Sequence, residues 1–477
     1  MTNLTARAPE GIDRLIGQAA LDALAASLGD RLILPDSPRY DDARSVFNGM
    51  IDRRPALIVH CRGVADVVQS VNFAREHGLL VAIRGGAHNV AGFATCDGGI
   101  VIDLSGMRGI RVDPAKGTVR AEGGATWADV DRETQLFAMA VPGGVVSDTG
   151  IAGLTLGGGQ GWLRRTHGMT CNSLVGADVV TADGKLLSVS KTDHPELFWA
   201  LKGGGGNFGV VTSFEYRLHP LGPVVAFAAT VYPLDRAEKV IAGFREFASN
   251  APDEVNANAV LWTLPESPAF PPSLHGQDVI IVGAMHAGPV EQGEQVLRPL
   301  RELDQPLLDM SSPIPYCALQ QLFDPFFPKG EFSQYWKALY LDGLGGAVAE
   351  QILARFRQRP SRRSMLTLWA VGGAMARVAA EETPLGRPAA PFLLEILGTW
   401  QRSEDNVPNI AWARDLFEAM HRLSSGKPNL NFPGLGEDSE KMVRAAFGGH
   451  YDRLVDVKNK HDPMNMFRLN QNIVPVR

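Results

Sequence analysis

Residues 147–161, SDTGIAGLTLGGGQG, hold glycine at positions 150, 153, 157, 158, 159 and 161. Each glycine adds to the conformational entropy lost on folding, and an ordinary turn needs only one or two. A flat ligand lying against bare backbone would account for the remainder. The enrichment extends outward, because residues 85–209 contain 26 of the chain's 51 glycines. There is no Gly-X-Y period of the kind collagen requires.

Upstream, Leu57-Ile58-Val59 reads as a short buried strand. Val64, Val67, Val68 and Val71 follow at i, i+3, i+4, i+7, which predicts a helix running to His77. Gly78 stands where a left-handed C-cap is wanted. The next strand, Leu79 to Ile83, completes a β-α-β unit that leads into Arg84-Gly85-Gly86-Ala87-His88-Asn89. Successive N–H groups in a Gly-Gly turn can form an anion nest, and the same loop serves equally as a tight turn. A lead-in helix is expected over Ile12 to Leu28.

Beyond His219 to Val224 (HPLGPV) glycine thins and strands lengthen. Strands are expected at 224–231, 256–264, 279–285, 366–371 and 392–400, with helices at 235–250, 290–303 and 410–423. That grouping predicts an α+β domain with helices over one face of a mainly antiparallel sheet. The tail is read as helical over Glu437 to Lys460, ending in a short FRLNQNIVP segment.

Several functions are disfavoured. Gly204-x-Gly206-x-x-Gly209 fits a dinucleotide fingerprint as a pattern, but a helix-like HPELFWALK precedes it and a strand-like VVTSFEYRL follows. A Rossmann loop has the reverse order. No phosphate-binding G-x-x-x-x-G-K-[ST], nucleophile elbow or short-spaced histidine set occurs, so no metal site is expected. The net charge of −6, with Lys and Arg scattered, argues against a nucleic-acid or membrane-surface partner. Four widely spaced cysteines argue against a disulfide scaffold. No basic n-region with an apolar h-region opens the chain, and a cytoplasmic enzyme is the expectation.

Four segments together carry a family resemblance. They are IRGGAHNVAG (83–92), SDTGIAGLTLGGGQGWLRRTHGMTCNSLVGADVVTADG (147–184), HPELFWALKGGGGNFGVVTSFEYRLHP (194–220) and DPMNMFRLNQNIVP (462–475). In this order they resemble the FAD-linked oxidases of the vanillyl-alcohol oxidase and berberine-bridge-enzyme superfamily, on the branch of bacterial 6-hydroxy-D-nicotine oxidase-like proteins. The resemblance implies a PCMH-type FAD-binding domain of two subdomains (1–222), a substrate domain with a mainly antiparallel sheet (223–430) and a C-terminal segment (431–477) returning to the FAD domain. It implies covalent FAD, with His88 bonded to the flavin 8α-methyl and Cys171 bonded to C6. Cofactor contacts are expected from Arg84, Gly85, Gly86, Ala87 and Asn89 in the first loop. Thr149, Gly150, Gly153, Gly157, Gly158 and Gly161 are expected from the second, with Val211, Asn470 and Asn472 beyond them. Leu174 falls where the family controls oxygen access.

The chain departs from the family pattern at three places. Ala87 replaces a glycine, and Asn172 replaces the aspartate after the linked cysteine. Asn429-Leu430-Asn431-Phe432 replaces Tyr-x-Asn-Phe, which removes the usual catalytic tyrosine. Asparagine cannot serve as a phenolate-type base, whereas a neutral amine can lose hydride without a strong one. The resemblance therefore implies oxidation of a small organic substrate by hydride transfer to flavin N5, with dioxygen as acceptor, tilted towards an amine or alkaloid-like substrate. The alternatives are an alcohol or sugar oxidase with a relocated base, for which Tyr335 and Tyr340 are candidates alongside Asn429, and a dehydrogenase using another acceptor. An NADPH-dependent reductase and a non-catalytic flavin-binding module are the readings from other classes.

Overall fold

The computed structural model describes residues 4–387, 390–424, 428–437 and 440–476. Its first sheet grows from the predicted β-α-β unit. Strands Leu57–His60, Ile100–Asp103 and Val81–Arg84 run parallel, with Ile100–Asp103 in the middle and Leu32–Ile33 on the outer edge. The crossover helix Val64–His77 buries Val67, Val71 and Ala74 and stops at Gly78, whose φ of 61° is left-handed. The lead-in differs from expectation: Asp13–Ile16 pairs with Leu4–Arg7 as a hairpin, and the helix begins only at Gln18.

A second sheet, antiparallel throughout, orders Leu186–Ser190, Leu174–Val180, Val210–Arg217, Thr118–Glu122 and Ile110–Asp113. The strand Val210–Arg217 leaves Gly204–Gly209, and the helix Pro195–Leu201 precedes those glycines. That is the order that argued against a Rossmann loop.

The third sheet is larger and antiparallel. Its path runs through Val224–Pro233, Asp278–His286, Val255–Thr263, Met365–Ala370, Phe392–Trp400, Ser333–Leu341 and Pro428–Pro433. Helices Ala237–Asn250, Val290–Arg301, Gly346–Arg357 and Asn406–Leu423 pack on one face, against Phe392, Leu394 and Ile396 among others. The opposite residues of the same strand, Leu393 and Leu397, face the other way. Period-2 alternation thus sends successive side chains either to the helical layer or towards the first two sheets.

Pro428–Pro433 hydrogen-bonds into this sheet and spans the expected division at residue 430. The chain then turns back. Helices Glu440–Phe447 and Tyr451–His461 place Val443, Phe447 and Leu454 in the core of the second sheet, and Phe467 reaches the core of the first. The cores of the first two sheets and the helix-free face of the third border one cleft.

Candidate cofactor and substrate cleft

The loop Gly85–Asn89 leaves strand Val81–Arg84 and runs against Thr149-Gly150 with no side chain between them. A Cβ on Gly86 would lie 2.5 Å from Gly150 Cα, and one on Gly150 would lie 2.7 Å from Gly86 Cα. Among the described residues, no protein acceptor pairs with the N–H groups of Gly86, Ala87, His88 or Asn89. Free donors on successive residues suit a phosphate. Ala87 holds a left-handed φ of 59°, a conformation that costs a non-glycine residue roughly 1–2 kcal/mol.

Both loops line one elongated cleft, which encloses about 2050 Å³ of empty space including its mouth. Its enclosed part, without the open mouth, is about 320 Å³, within the ~300–1,000 Å³ of ordinary small-molecule pockets. Gly85, Gly86, Ala87, His88 and Asn89 line it, as do Thr149, Gly150, Gly153, Gly157 and Gly161, and farther along Val211 and Asn470. Gly205, Gly206 and Gly209 line it as well. These glycines went unassigned in the sequence because their motif failed the Rossmann order. Asn470 Nδ2 donates to Gly206 O (3.0 Å), while its buried Oδ1 has no protein partner. Gln160 Oε1 is likewise buried and unpaired. The glycine cradle, the free N–H groups and these orphaned oxygens fit FAD.

Other expected contacts sit elsewhere. Arg84 is a buried pin whose guanidinium donates to Ala43 O and Ala94 O and lies 3.7 Å from Asp103. Gly158, with φ 99°, packs against Leu385, and its carbonyl accepts the Cys171 N–H. Asn472 and Leu174 do not line the cleft; Leu174 lies one layer behind, in the core shared with Ala152, Leu156 and Val211.

The two residues expected to bond the cofactor are separated. His88 lines the cleft, stacked on Phe47 at 3.8 Å, with Asp148 Oδ1 3.1 Å from its Nε2. Cys171 does not line it. Its side chain is fully buried among Leu163, Met169, Val225 and Met285, and burial pushes the thiol up to about 12. A thiol so held is not the thiolate that adds to an electrophile. Gly144, Val145 and Val146, which do line the cleft, carry no nucleophile. The expectation of a second bond at Cys171 is corrected on these grounds.

The tyrosine candidates are corrected too. Tyr335 faces the helical layer, where its hydroxyl donates to Glu437 and accepts from Arg414. Burial, then the Glu437 carboxylate, raises its pKa further. Tyr340 points to the opposite side but stays out of the cleft lining, accepting a hydrogen bond from Gln160 Nε2 (2.6 Å); burial pushes it up to about 12. Asn429 does line the cleft, and its Oδ1 accepts the Asn431 N–H at 3.0 Å.

What the sequence reading missed is an acid. Glu395 stands on the cleft side of Phe392–Trp400 among Trp336, Met365, Thr367, Trp369 and Leu397. It is half-buried, its exposed part turned into the cleft. Trp369 Nε1 donates to its Oε2 at 2.7 Å. Burial raises the carboxyl to about 7, against the opposing pull of the Trp369 N–H and the Arg164 charge. The signal lay in FLLEILGTW: one acid inside an otherwise apolar strand, where both faces are buried.

Family comparisons agree with this cleft. Residues 55–190 match the FAD binding domain family, and residues 429–474 match the family described as berberine and berberine like. The chain is 30% identical over 458 residues to the FAD-linked oxidoreductase YgaK of Bacillus subtilis, covering 94% of this chain and 98% of that one. The chain belongs to the berberine-bridge and vanillyl-alcohol oxidase superfamily of FAD-linked oxidoreductases. It is also 30% identical to (R)-6-hydroxynicotine oxidase of Paenarthrobacter nicotinovorans, over 95% of this chain and 98% of the relative. The crystal structure of 6-hydroxy-D-nicotine oxidase from Arthrobacter nicotinovorans superposes with a TM-score of 0.83 at 28% identity, covering 94% of this chain and 98% of that one. A chitooligosaccharide oxidase shares the fold at a TM-score of 0.83 and 20% identity, over 96% of this chain and all of that one. This member of the superfamily is an FAD-binding oxidoreductase, and its third sheet lines the cleft through Trp336, Met365, Trp369 and Leu397.

Proposed function

We propose that this oxidoreductase oxidises a small aromatic amine, with His88 as the single covalent attachment for FAD and Glu395 as the acid–base residue. The observation that carries the reading is Glu395 itself, a lone carboxyl near neutrality inside an aromatic part of the cleft. Trp336, Trp369, Phe323, Phe327 and Phe432 line that part. Aromatic faces attract a cation, and a carboxylate among them pairs with a protonated amine or removes its proton. A general base works best when its pKa lies near the working pH. The relative named as an oxidase of 6-hydroxynicotine supports the same class.

The cofactor residues follow from the cradle. The N–H groups of Gly86 to Asn89 would hold phosphate oxygens, Gly150 and Gly153 would let the cofactor lie on backbone, and Asn470 Oδ1 would accept a hydrogen bond. When bound, FAD would supply the acceptor for a hydride leaving the substrate carbon, with dioxygen as the terminal oxidant. Glu395 takes the proton from the substrate nitrogen before or as its α-carbon gives up hydride, and the substrate leaves as an iminium. Trp336 and Trp369 orient the ring and keep bulk water from Glu395.

Glu395 also keeps a second reading open, since a base near neutrality could deprotonate an alcohol and would be the relocated base that a sugar oxidase needs. Substrate panels separate the two. Under anaerobic conditions an aromatic amine should bleach the oxidised flavin absorbance and sugars should not. Bleaching by sugars alone would overturn the amine assignment, and bleaching without hydrogen peroxide formation in air would mark a dehydrogenase.

A further inference from the structure

Arg164 is 1% exposed, and among the described residues no carboxylate lies within ion-pairing distance of it. Its donors are spent on three carbonyls instead: Nε on Ala370 O at 3.0 Å, one terminal nitrogen on Gly161 O at 2.8 Å and the other on Ala257 O at 3.2 Å. These carbonyls come from the glycine-rich loop and from two strands of the third sheet. The guanidinium carbon sits 4.3 Å from the centroid of the Trp369 ring, and the N–H of that same indole is the donor to Glu395.

We propose that Arg164 is a positioning residue for the oxidation, acting on Glu395 through Trp369. It fixes the indole plane so that the N–H meets the carboxylate, and its charge, paired with no acid, favours the ionised form of that carboxylate. The inference rests on the assignment of Glu395 as the acid–base residue and adds a partner, itself on the wall of the same cleft, that reaches Glu395 through Trp369.

The physical argument has three parts. Burial pulls the Arg164 pKa down, yet three carbonyl acceptors and an aromatic face are what a guanidinium needs to stay charged in an interior. Because none of its hydrogen bonds goes to an acid, its field is not cancelled locally, and Glu395 is the acid it acts on. A cation resting on an indole face also strengthens the indole N–H as a donor, since neighbouring polar groups polarise one another in a low-dielectric site. The remaining titratable groups facing this cluster are Arg165, which opposes the Arg164 charge, and Tyr340, which feels both Arg164 and Glu395. Tyr340 is neutral through the working range and leaves Arg164 as the cation that counts.

The test is an infrared titration of the FAD-loaded enzyme between pH 5 and 9. It follows the protonated-carboxyl band that Glu395→Gln removes, so that the buried Asp131, which titrates in the same region, is subtracted. In the wild type the band should titrate near pH 7. Arg164→Met should move the midpoint up by roughly one unit, and Arg164→Lys, which keeps the charge, should restore it to within a few tenths. Trp369→Phe keeps a ring under the guanidinium, removes the donor and should also raise the midpoint; it serves if Arg164→Met does not fold. A folded Arg164→Met enzyme with an unmoved midpoint would overturn the inference while leaving Glu395 in place. If Glu395→Gln removes no band titrating in this range, the Glu395 assignment itself fails.

Discussion

Gly86 and Gly150 meet back to back, each leaving the other no room for a Cβ. They belong to loops from different subdomains, and their contact brings both loops onto the same cleft. Gly150→Ala should therefore separate the loops. The overlap is with backbone, which cannot swing aside, so the expected cost is at least the ~1–3 kcal/mol typical of overpacking. Flavin-to-protein ratio after purification should fall at least tenfold, with a lower melting temperature. A fully loaded variant would contradict the cradle.

His88 and Cys171 make opposite predictions. Acid precipitation of the wild type should leave the yellow colour in the pellet. His88→Ala should release the flavin to the supernatant, because Cys171 is sealed in an apolar core and supplies no second bond. Cys171→Ser should keep the colour in the pellet. Colour retained in the His88→Ala pellet would refute the single attachment.

Tyr335→Phe tests the parity of strand Ser333–Leu341. Its hydroxyl bonds Glu437 beneath the helical layer, so the change should cost about 1 kcal/mol of stability and leave the oxidation rate within about threefold, as measured by denaturation and turnover. A hundredfold loss of turnover in a folded variant would return Tyr335 to the chemistry.

That strand also shows how far the sequence could be read. Alternation in QYWKALYL already separates Tyr335 from Trp336, and the apolar run around Glu395 marks it as an anomaly. The loops that line the cleft were legible because glycine is required where backbones cross, as at Gly86. Cys171 misled because its placement beside a glycine-rich motif resembles that of a reactive thiol, whereas its side chain turns into the core. Which way a loop side chain turns depends on partners distant in sequence, here Val225 and Met285. Arg164 was hidden for the same reason, since two of its three carbonyls come from strands about 90 and 200 residues away.

Asp131 gives a stability prediction with a defined sign. It is buried between the helices Trp127–Thr134 and Tyr316–Gln320; Gln320 Nε2 donates to its Oδ2 at 3.0 Å, and Oδ1 is unpaired. Burial raises its carboxyl from an ordinary 3.8 to about 7. Between those values the folded state binds more protons than the unfolded one, so this group's contribution to stability falls as pH rises and levels off above about 7. Asp131→Asn should be little changed at pH 4 and gain on the wild type up to pH 7–8, as read from melting temperatures across the range. A difference independent of pH would contradict the assignment.

The most direct test of the central claim is the anaerobic rate of flavin bleaching by a panel of secondary and tertiary aromatic amines, measured against pH for the wild type and Glu395→Gln. The prediction is that at least one amine bleaches the wild-type flavin, with a rate that rises through a midpoint near pH 7. In Glu395→Gln the rate should fall about a hundredfold or more and lose that midpoint. Equal rates and an unchanged pH profile in the variant would contradict the account.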